Sequence, residues 1–269
     1  MLRRPLMVVA FEGWNDAGDA ATTAVSHVVE EFGASPVAEI DPEQFYDFSS
    51  TRPIVRLTGE GSRRIDWPTN QFSVATVEGI ERDVVVLSGV EPQLKWQTFA
   101  DQVVSTAREL GVELVVTLGA LIADVAHSRP ITVYGTSHDA ALCEQLNLEP
   151  STYEGPTGIV GVVHHACEKA ELATMSLWVA VPSYIPHAPS PKAALALVER
   201  LGEILKIDMN TTGLAEQSGD YERHITELVS DDDDTRAYVT KLEEEYDASM
   251  RPENTAELIE ELEQFLRDQ

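Results

Sequence analysis

Short apolar runs that end at glycine, proline or polar turns recur along the first two thirds of the chain. They are rich in β-branched residues, which is typical of buried strands. The runs are residues 6–11, 84–87, 114–118, 131–134 and 177–181. Apolar positions at helical spacing lie between them and predict helices over residues 17–32, 96–110 and 159–172. This alternation predicts an α/β fold with a mainly parallel sheet and helices on both faces.

Residues 36–80 follow a different pattern, with short alternating runs, frequent proline and glycine, and no stretch of helical spacing. The runs cover residues 54–57, 64–67 and 72–77. Such alternation is typical of half-buried strands bounded by turns. We therefore predict antiparallel hairpins added to the edge of the sheet.

The C-terminal part of the chain differs from the rest in composition and periodicity. Prolines 182, 186, 189 and 191 mark a linker-like crossing, and Pro191 suits the first turn of a helix. Beyond it, apolar residues recur at helical spacing as far as Phe265, without a strand pattern. We predict an α/β core domain over residues 1–190 and an acidic helical unit of about four helices over residues 191–269.

Four consecutive aspartates, residues 231–234, interrupt the helical pattern of this unit. Aspartates before a helix accept its free N–H groups and favour its positive end. A calcium loop would instead need spaced oxygen ligands, a glycine and a terminal glutamate. We therefore expect a helix cap here.

The charge balance narrows the classes of partner. The chain has 46 acidic and 19 basic residues among 269, a net charge of −27. Nucleic acid and anionic membrane surfaces repel such a chain, so we expect neither as a partner. No apolar run approaches the length of about 18 residues that a bilayer span needs, and the first residues lack the pattern of a signal peptide.

Two cysteines, Cys143 and Cys167, are too few for a disulfide framework and lie in apolar neighbourhoods. They indicate reduced, buried thiols in a cytoplasmic protein. A cysteine nucleophile needs a helix N-terminus or a basic neighbour, and although His164 and His165 lie close to Cys167 in sequence, we expect no cysteine nucleophile. The two histidines cannot share a helix face, so at most one of them points at any site.

The turn after the first predicted strand has the glycine spacing of a nucleotide-binding loop, with Gly13 and Gly18 five residues apart. Asp19 and Ala20 stand where that loop needs lysine and a hydroxyl residue. Three carboxylates would also repel a phosphate: Glu12, Asp16 and Asp19. A simpler role for Asp16 than ligand binding is the N-cap of the helix over residues 17–32. We expect Trp14 to be buried under a neighbouring loop or subunit.

A second turn, "TLGALIADVAHSRP" (residues 117–130), offers Asp124, His127, Ser128 and Arg129 at the end of a predicted strand. Catalytic triads are built from separated chain positions, and the chain has no Gly-x-Ser-x-Gly elbow. The simpler interpretation is a polar loop with an internal contact from Asp124 to Arg129 or His127.

A third turn, "YEGPTGIVGVVHHA" (residues 153–166), leads into a helix with Thr157 as a candidate N-cap. In a doubly wound sheet such turns meet at the carboxyl ends of the strands. The resulting crevice would collect side chains able to bind a divalent metal: Glu12, Asp16, Asp19, Asp124, His127 and Glu154. Because no tight ligand spacing accompanies them, we predict no metal and no cofactor.

Five stretches, in this order, resemble the proteasome assembly chaperone family. They are "AFEGWNDAGDAA", "DPEQFYDF" followed by "TRP", "GVEPQLKW", "TLGALIADVAHSRP" and "YEGPTGIVG". The chain is most similar to the second type of that family, represented by uncharacterised actinobacterial proteins, over about residues 5–210. The acidic helical tail also resembles that branch.

The resemblance implies a three-layer α/β sandwich related to phosphorylase/hydrolase-like folds, and self-association or pairing with a related subunit. Family members in eukaryotes and archaea help to assemble proteasome α-rings, and docking members end in a hydrophobic–tyrosine–any tripeptide. This chain ends Leu266-Arg-Asp-Gln269, so we do not expect docking by that route. Because phosphorylase-like folds often form rings, we expect a homo-oligomer, with a trimer as the expected form.

Two hypotheses follow. The first is a non-enzymatic, chaperone-like protein that binds itself and a protein client or proteasome-related subunit. Its candidate interaction residues are Trp14, Asn15, Asp19, Arg129, Tyr153, Glu154 and Thr157. The alternative is a small-molecule hydrolase or nucleoside phosphorylase-like enzyme, with Glu12, Asp16, Asp124 and His127 as its candidate catalytic residues.

Overall fold

The apolar runs form one seven-stranded sheet in the computed structural model, which describes residues 2–59 and 61–249. The strand order is β2-β5-β6-β1-β7-β9-β8. The strands of this sheet are β1 (Leu6–Glu12), β2 (Ser35–Ile40), β5 (Asn70–Ala75), β6 (Val84–Val90), β7 (Leu114–Ala123), β8 (Val133–Thr136) and β9 (Ala173–Pro182). A separate hairpin consists of β3 (Ile54–Leu57) and β4 (Arg63–Asp66).

The centre of the sheet is parallel and its edges are antiparallel. Strands β6, β1, β7 and β9 run in one direction, whereas β5 and β2 on one edge and β8 on the other oppose their neighbours. The carboxyl ends of the four central strands therefore share one edge. The segments that follow residues 12, 90, 123 and 182 all leave the sheet there.

Helices cover both faces, so the predicted three-layer α/β architecture with a mainly parallel mixed sheet is confirmed. The helices are α1 (Ala20–Glu31), α2 (Trp96–Glu109), α3 (Ala140–Leu146), α4 (Ile159–Lys169), α5 (Pro191–Leu205), α6 (Thr212–Ser230) and α7 (Asp233–Ser249). Helices α1 and α5 pack together on one face, and α2 and α4 on the other. Each pair encloses its own apolar core against the sheet.

The predicted hairpins of residues 36–80 are only partly at the sheet edge. Strands β2 and β5 do extend it, with antiparallel pairing from β2 through β5 to β6. The pair β3–β4 does not join the sheet, so that part of the prediction was wrong. No residue of β3 or β4 is buried, so neither strand has an apolar face packed on the core that would hold it at the sheet edge.

The helical region begins as predicted, with Pro191 in the first turn of α5 and the Ser190 hydroxyl accepting the N–H of Ala193. The buried side chains of α5 belong to the same apolar core as α1 and the sheet, Leu197 and Leu201 among them. This helix is thus a layer of the sandwich, and the predicted boundary at residue 190 stays a prediction.

Helices α6 and α7 form a hairpin with a smaller core of their own. Tyr221, Ile225 and Val229 of α6 pack there with Val239 of α7 and with Tyr184 from the segment after β9. The predicted aspartate cap is confirmed, because the Asp232 carboxylate accepts the N–H of Thr235 at 2.9 Å. The helix predicted to reach Phe265 and the C-terminal residues lie outside the described part of the chain. None of the helices described is both long and apolar enough to traverse a bilayer.

Candidate functional site

Asp16 in the turn after β1 is an internal structural group. One carboxylate oxygen accepts the backbone N–H groups of Ala21 at 2.7 Å and Thr22 at 3.2 Å, and the other accepts the Thr22 hydroxyl. Asp19 occupies the N-cap position because residues 17–19 form a short 3-10 turn, but Asp16 supplies the capping carboxylate. Burial raises the pKa of Asp16, and its hydrogen bonds partly offset that rise.

Glu91 joins the first and third turns, a role that sequence reasoning missed. One carboxylate oxygen accepts the Ile159 N–H at the start of α4 at 2.9 Å, and the other accepts the Trp14 N–H at 3.3 Å. Thr157 was therefore wrongly predicted as the N-cap: Gly158 occupies that position, and the capping carboxylate comes from Glu91. The open amides that could bind an anion are satisfied in part by the protein's own carboxylate.

Asn15 lies where the two turns touch. Only 9 % of its surface is exposed, and its backbone carbonyl accepts the Ala120 N–H of β7 at 2.8 Å. A Cβ atom on Gly158 would lie 2.0 Å from the Asn15 Oδ1 atom, so this approach requires glycine. The predicted meeting of the first and third turns is thus present, built by Asn15, Gly158 and Glu91.

Trp14 is 56 % exposed, so the expectation that a loop of its own chain buries it was wrong. Two more large apolar side chains are exposed in segments at the same edge of the sheet: Leu94, after β6, at 46 % and Trp67, before β5, at 45 %. The Leu94 N–H donates to the Phe45 carbonyl at 3.0 Å, and the Trp67 ring meets the Phe48 ring edge-on with centroids 4.8 Å apart. We call Trp14, Leu94 and Trp67 the apolar rim.

His127 of the second turn is held by four hydrogen bonds, one of which Lys192 donates to its backbone carbonyl at 2.6 Å. The Tyr184 hydroxyl accepts its backbone N–H at 2.8 Å and lies 2.8 Å from Nδ1, so the hydroxyl proton points at Nδ1. The proton of the neutral ring is then on Nε2, 3.0 Å from the Thr226 hydroxyl of α6. Burial, followed by the charge of Lys192, lowers the pKa of His127, so the ring is neutral at pH 7.

The main partners of the remaining polar residues of this turn lie in α7 and in the segment after β9. The Arg129 guanidinium donates two parallel hydrogen bonds to the Asp247 carboxylate of α7, both 2.8 Å long. The Ser128 hydroxyl donates to Glu243, also of α7, and Asp124 accepts the Ser183 hydroxyl at 2.7 Å. The predicted contact inside the loop, from Asp124 to Arg129 or His127, was therefore wrong.

The candidate catalytic groups thus belong to two separate networks. Within residues 2–59 and 61–249, no hydrogen bond joins Glu12 or Asp16 to Asp124 or His127. Glu12 is exposed, and partial burial together with nearby Asp19 raises its pKa. The same described ranges contain no cluster of three His, Cys, Asp or Glu side chains able to hold a metal ion.

The other candidate groups are peripheral. Tyr153 folds back on its own turn and donates its hydroxyl to the Pro156 carbonyl at 2.7 Å, and Glu154 is exposed. Cys167 is buried, and burial raises the pKa of its thiol to about 12, so it is protonated at neutral pH. His164 and His165 diverge as predicted: His164 contacts the Ser176 hydroxyl and His165 is exposed.

Comparison with known proteins places these features in context. The model of the PAC2 family matches residues 10–229. A PAC2 family protein from Streptomyces avermitilis is 44 % identical, with a TM-score of 0.82; the match covers 87 % of this chain and 99 % of that one. A proteasome-assembly chaperone homologue from Mycobacterium tuberculosis is 42 % identical over the same shares, with a TM-score of 0.79.

A more distant similarity extends to archaea. An archaeal proteasome activator from Pyrococcus furiosus shares the fold at a TM-score of 0.67 and 16 % identity, over 84 % of this chain and 94 % of that one. No curated protein matches this chain significantly.

Proposed function

This chain belongs to the PAC2 family, and we propose that it is a non-enzymatic, proteasome-assembly-chaperone-like protein that acts as a homo-oligomer. The family model spans most of the chain, and one close structural relative is described as a proteasome-assembly chaperone homologue. A more distant relative is described as a proteasome activator. The proposed partners are a second copy of this chain and a proteasome-related subunit or other protein client, in the cytoplasm.

One observation carries the proposal. At the carboxyl edge of the sheet, Asp16, Glu91 and His127 serve internal hydrogen bonds, whereas Trp14, Leu94 and Trp67 face outward. Large apolar side chains exposed along one edge of a folded chain are typical of protein-interaction surfaces, and tryptophan is enriched among the residues that dominate binding energy. The edge of the sheet is thus better suited to a protein partner than to a small substrate.

The hydrolase or nucleoside phosphorylase-like alternative is not favoured. An acid–base pair must lie within hydrogen-bond reach of the same reacting group. The candidate acids and the histidine have different partners instead, and α6 and α7 engage the turn that holds His127. Fold similarity to enzymes would carry little weight by itself.

The proposal is tested by assembling proteasome α-rings from purified α-subunits encoded by the same genome, with and without this chain. We expect ring formation to accelerate with the wild-type chain and with Leu228→Ser, a matched substitution of an apolar side chain that is 50 % exposed on α6. We expect Trp14→Ser to lose most of that acceleration. Equal assembly rates with and without the wild-type chain would overturn the proposal.

A further inference from the structure

Within residues 2–59 and 61–249, the hairpin β3–β4 contributes no side chain to the apolar cores. Its register pairs Val55 with Ile65 and Leu57 with Arg63, and within the described residues its strands pair only with each other. All four residues of β3 and three of the four residues of β4 are exposed. A two-stranded hairpin alone is marginally stable in water at best.

One face of this hairpin is apolar. Residues on alternate positions of a strand share a face, and directly paired residues lie side by side. Val55, Leu57 and Ile65 therefore share a face, which we call the hairpin face, and they are 56 %, 76 % and 52 % exposed. Such a surface on a short, unsupported hairpin indicates a site that another molecule covers.

Arg63 is the fourth residue of the hairpin face, and the opposite face carries three charged residues beside the exposed Ile54. There Asp66 accepts hydrogen bonds from Arg56 at 2.8 Å and from Arg64 at 2.6 Å. Asp66 thus pairs with one arginine of the neighbouring strand and one of its own, so these charges are paired within their own face. Trp67 follows β4 directly and packs on Phe48, so the hairpin face continues from the apolar rim.

The distribution of charge along the chain indicates which molecule covers the hairpin face. Residues 52–67 contain four basic and two acidic residues, whereas the remainder of the chain contains 15 basic and 44 acidic residues. The hairpin is thus a net positive segment on a strongly negative protein. A second copy of the same chain offers the complementary surface, because its body carries the opposite charge.

We propose that the hairpin face of one chain docks on the acidic body of a second copy, an inference that rests on the homo-oligomer of the proposed function. Apolar burial by Val55, Leu57 and Ile65 supplies the attraction at close range. At close range the arginines of residues 52–64 pair with acidic side chains of the second copy and set the orientation of docking. Nucleic acid does not compete, since the rest of the chain repels it.

The test is analytical ultracentrifugation of the full chain over a wide concentration range. The test variant replaces Val55, Leu57 and Ile65 by serine, and the matched control is Val37→Ser, which changes an apolar residue that is 50 % exposed on the edge strand β2. We expect the wild type and the control to self-associate equally. For the triple variant we expect the dissociation constant to rise by about tenfold or more.

Far-UV circular dichroism and thermal unfolding of each variant show whether the body of the protein remains folded. A folded triple variant that self-associates like the wild type overturns the inference and leaves the homo-oligomer of the proposed function intact. A wild type that stays monomeric at all concentrations overturns both.

Discussion

The carboxylate of Glu91 accepts the backbone N–H of Ile159 at 2.9 Å across 68 residues of sequence. Its second oxygen accepts the N–H of Trp14, so one side chain fixes both the start of α4 and the turn that displays the exposed tryptophan. The same carboxylate occupies the amides that an anionic ligand would need. Glu91 therefore fixes the turn of the exposed Trp14 at the edge of the sheet where many α/β enzymes hold a substrate.

Removal of the Glu91 carboxylate should destabilise both the start of α4 and the turn that contains Trp14. We expect Glu91→Ala to lower the free energy of unfolding by about 1–2 kcal/mol, the usual cost of losing a helix cap. Glu91→Gln keeps an acceptor oxygen and should cost less. Chemical denaturation measures both, with exposed Glu154→Ala as the control that should leave stability unchanged. Equal stability of Glu91→Ala and the wild type would contradict the capping role.

The contact between Gly158 and Asn15 allows a sharper test of packing. Gly158→Ala places a methyl group against the Asn15 side chain, and we expect a loss of roughly 1–3 kcal/mol in unfolding free energy. Gly213→Ala in α6 is the matched control, because a Cβ there meets nothing within 4 Å. That control should be neutral or stabilising by up to about 1 kcal/mol. Thermal unfolding of the two variants should shift in opposite directions, and matching shifts would refute this packing.

His127 predicts a pH dependence of stability. Its folded-state pKa is lowered from the ordinary value of 6.5, so below that value the unfolded chain binds the proton more readily than the folded one. The contribution of the neutral His127 to the free energy of unfolding is fully present above about pH 7. It is lost as the pH falls through 6.5 toward the lowered pKa of the folded state. We expect His127→Gln to reduce the slope of unfolding free energy between pH 7 and 5, as measured by urea titrations. A slope identical to that of the wild type would rule out this source.

Arg129 should hold α7 against the second turn. Since the guanidinium binds Asp247 through two parallel hydrogen bonds, we expect Arg129→Ala to accelerate amide hydrogen exchange in α7 and to leave the sheet unchanged. Lys241→Ala removes an exposed pair with Glu245 within the same helix and serves as the control. Exchange in α7 that does not respond to Arg129→Ala would show that the other contacts of α7 retain the helix without this ion pair.

The order of apolar and polar residues was enough to predict the buried strands and the helix cap, because both depend on residues that are close in sequence. The buried runs at residues 6–11 and 114–118 became β1 and β7, and the aspartates at 231–234 provide the expected cap. The separate hairpin β3–β4 was wrongly predicted to join the main sheet. Alternation of apolar and polar residues indicates a strand but does not show which strand it pairs with. Helix α3 went unpredicted because it is short and has no buried residue.

The candidate site was harder to predict, because its contacts join distant parts of the chain. Glu91 follows a recognised strand and lies in the motif "GVEPQLKW", yet no spacing rule links it to Ile159. His127 bonds to Tyr184, 57 residues downstream, and to Thr226 of α6, and Arg129 bonds to Asp247 of α7, which is 118 residues downstream. Polar residues that look catalytic in sequence were thus structural in the fold.

The central claim is that this chain binds proteins through its exposed apolar rim. Native mass spectrometry of the purified chain, alone and mixed with α-subunits encoded by the same genome, tests it most directly. We expect a homo-oligomer for the chain alone and a stoichiometric complex in the mixture, which Trp14→Ser weakens and Leu228→Ser preserves. Monomeric masses in every sample, from the wild type as well as the variants, would contradict the account.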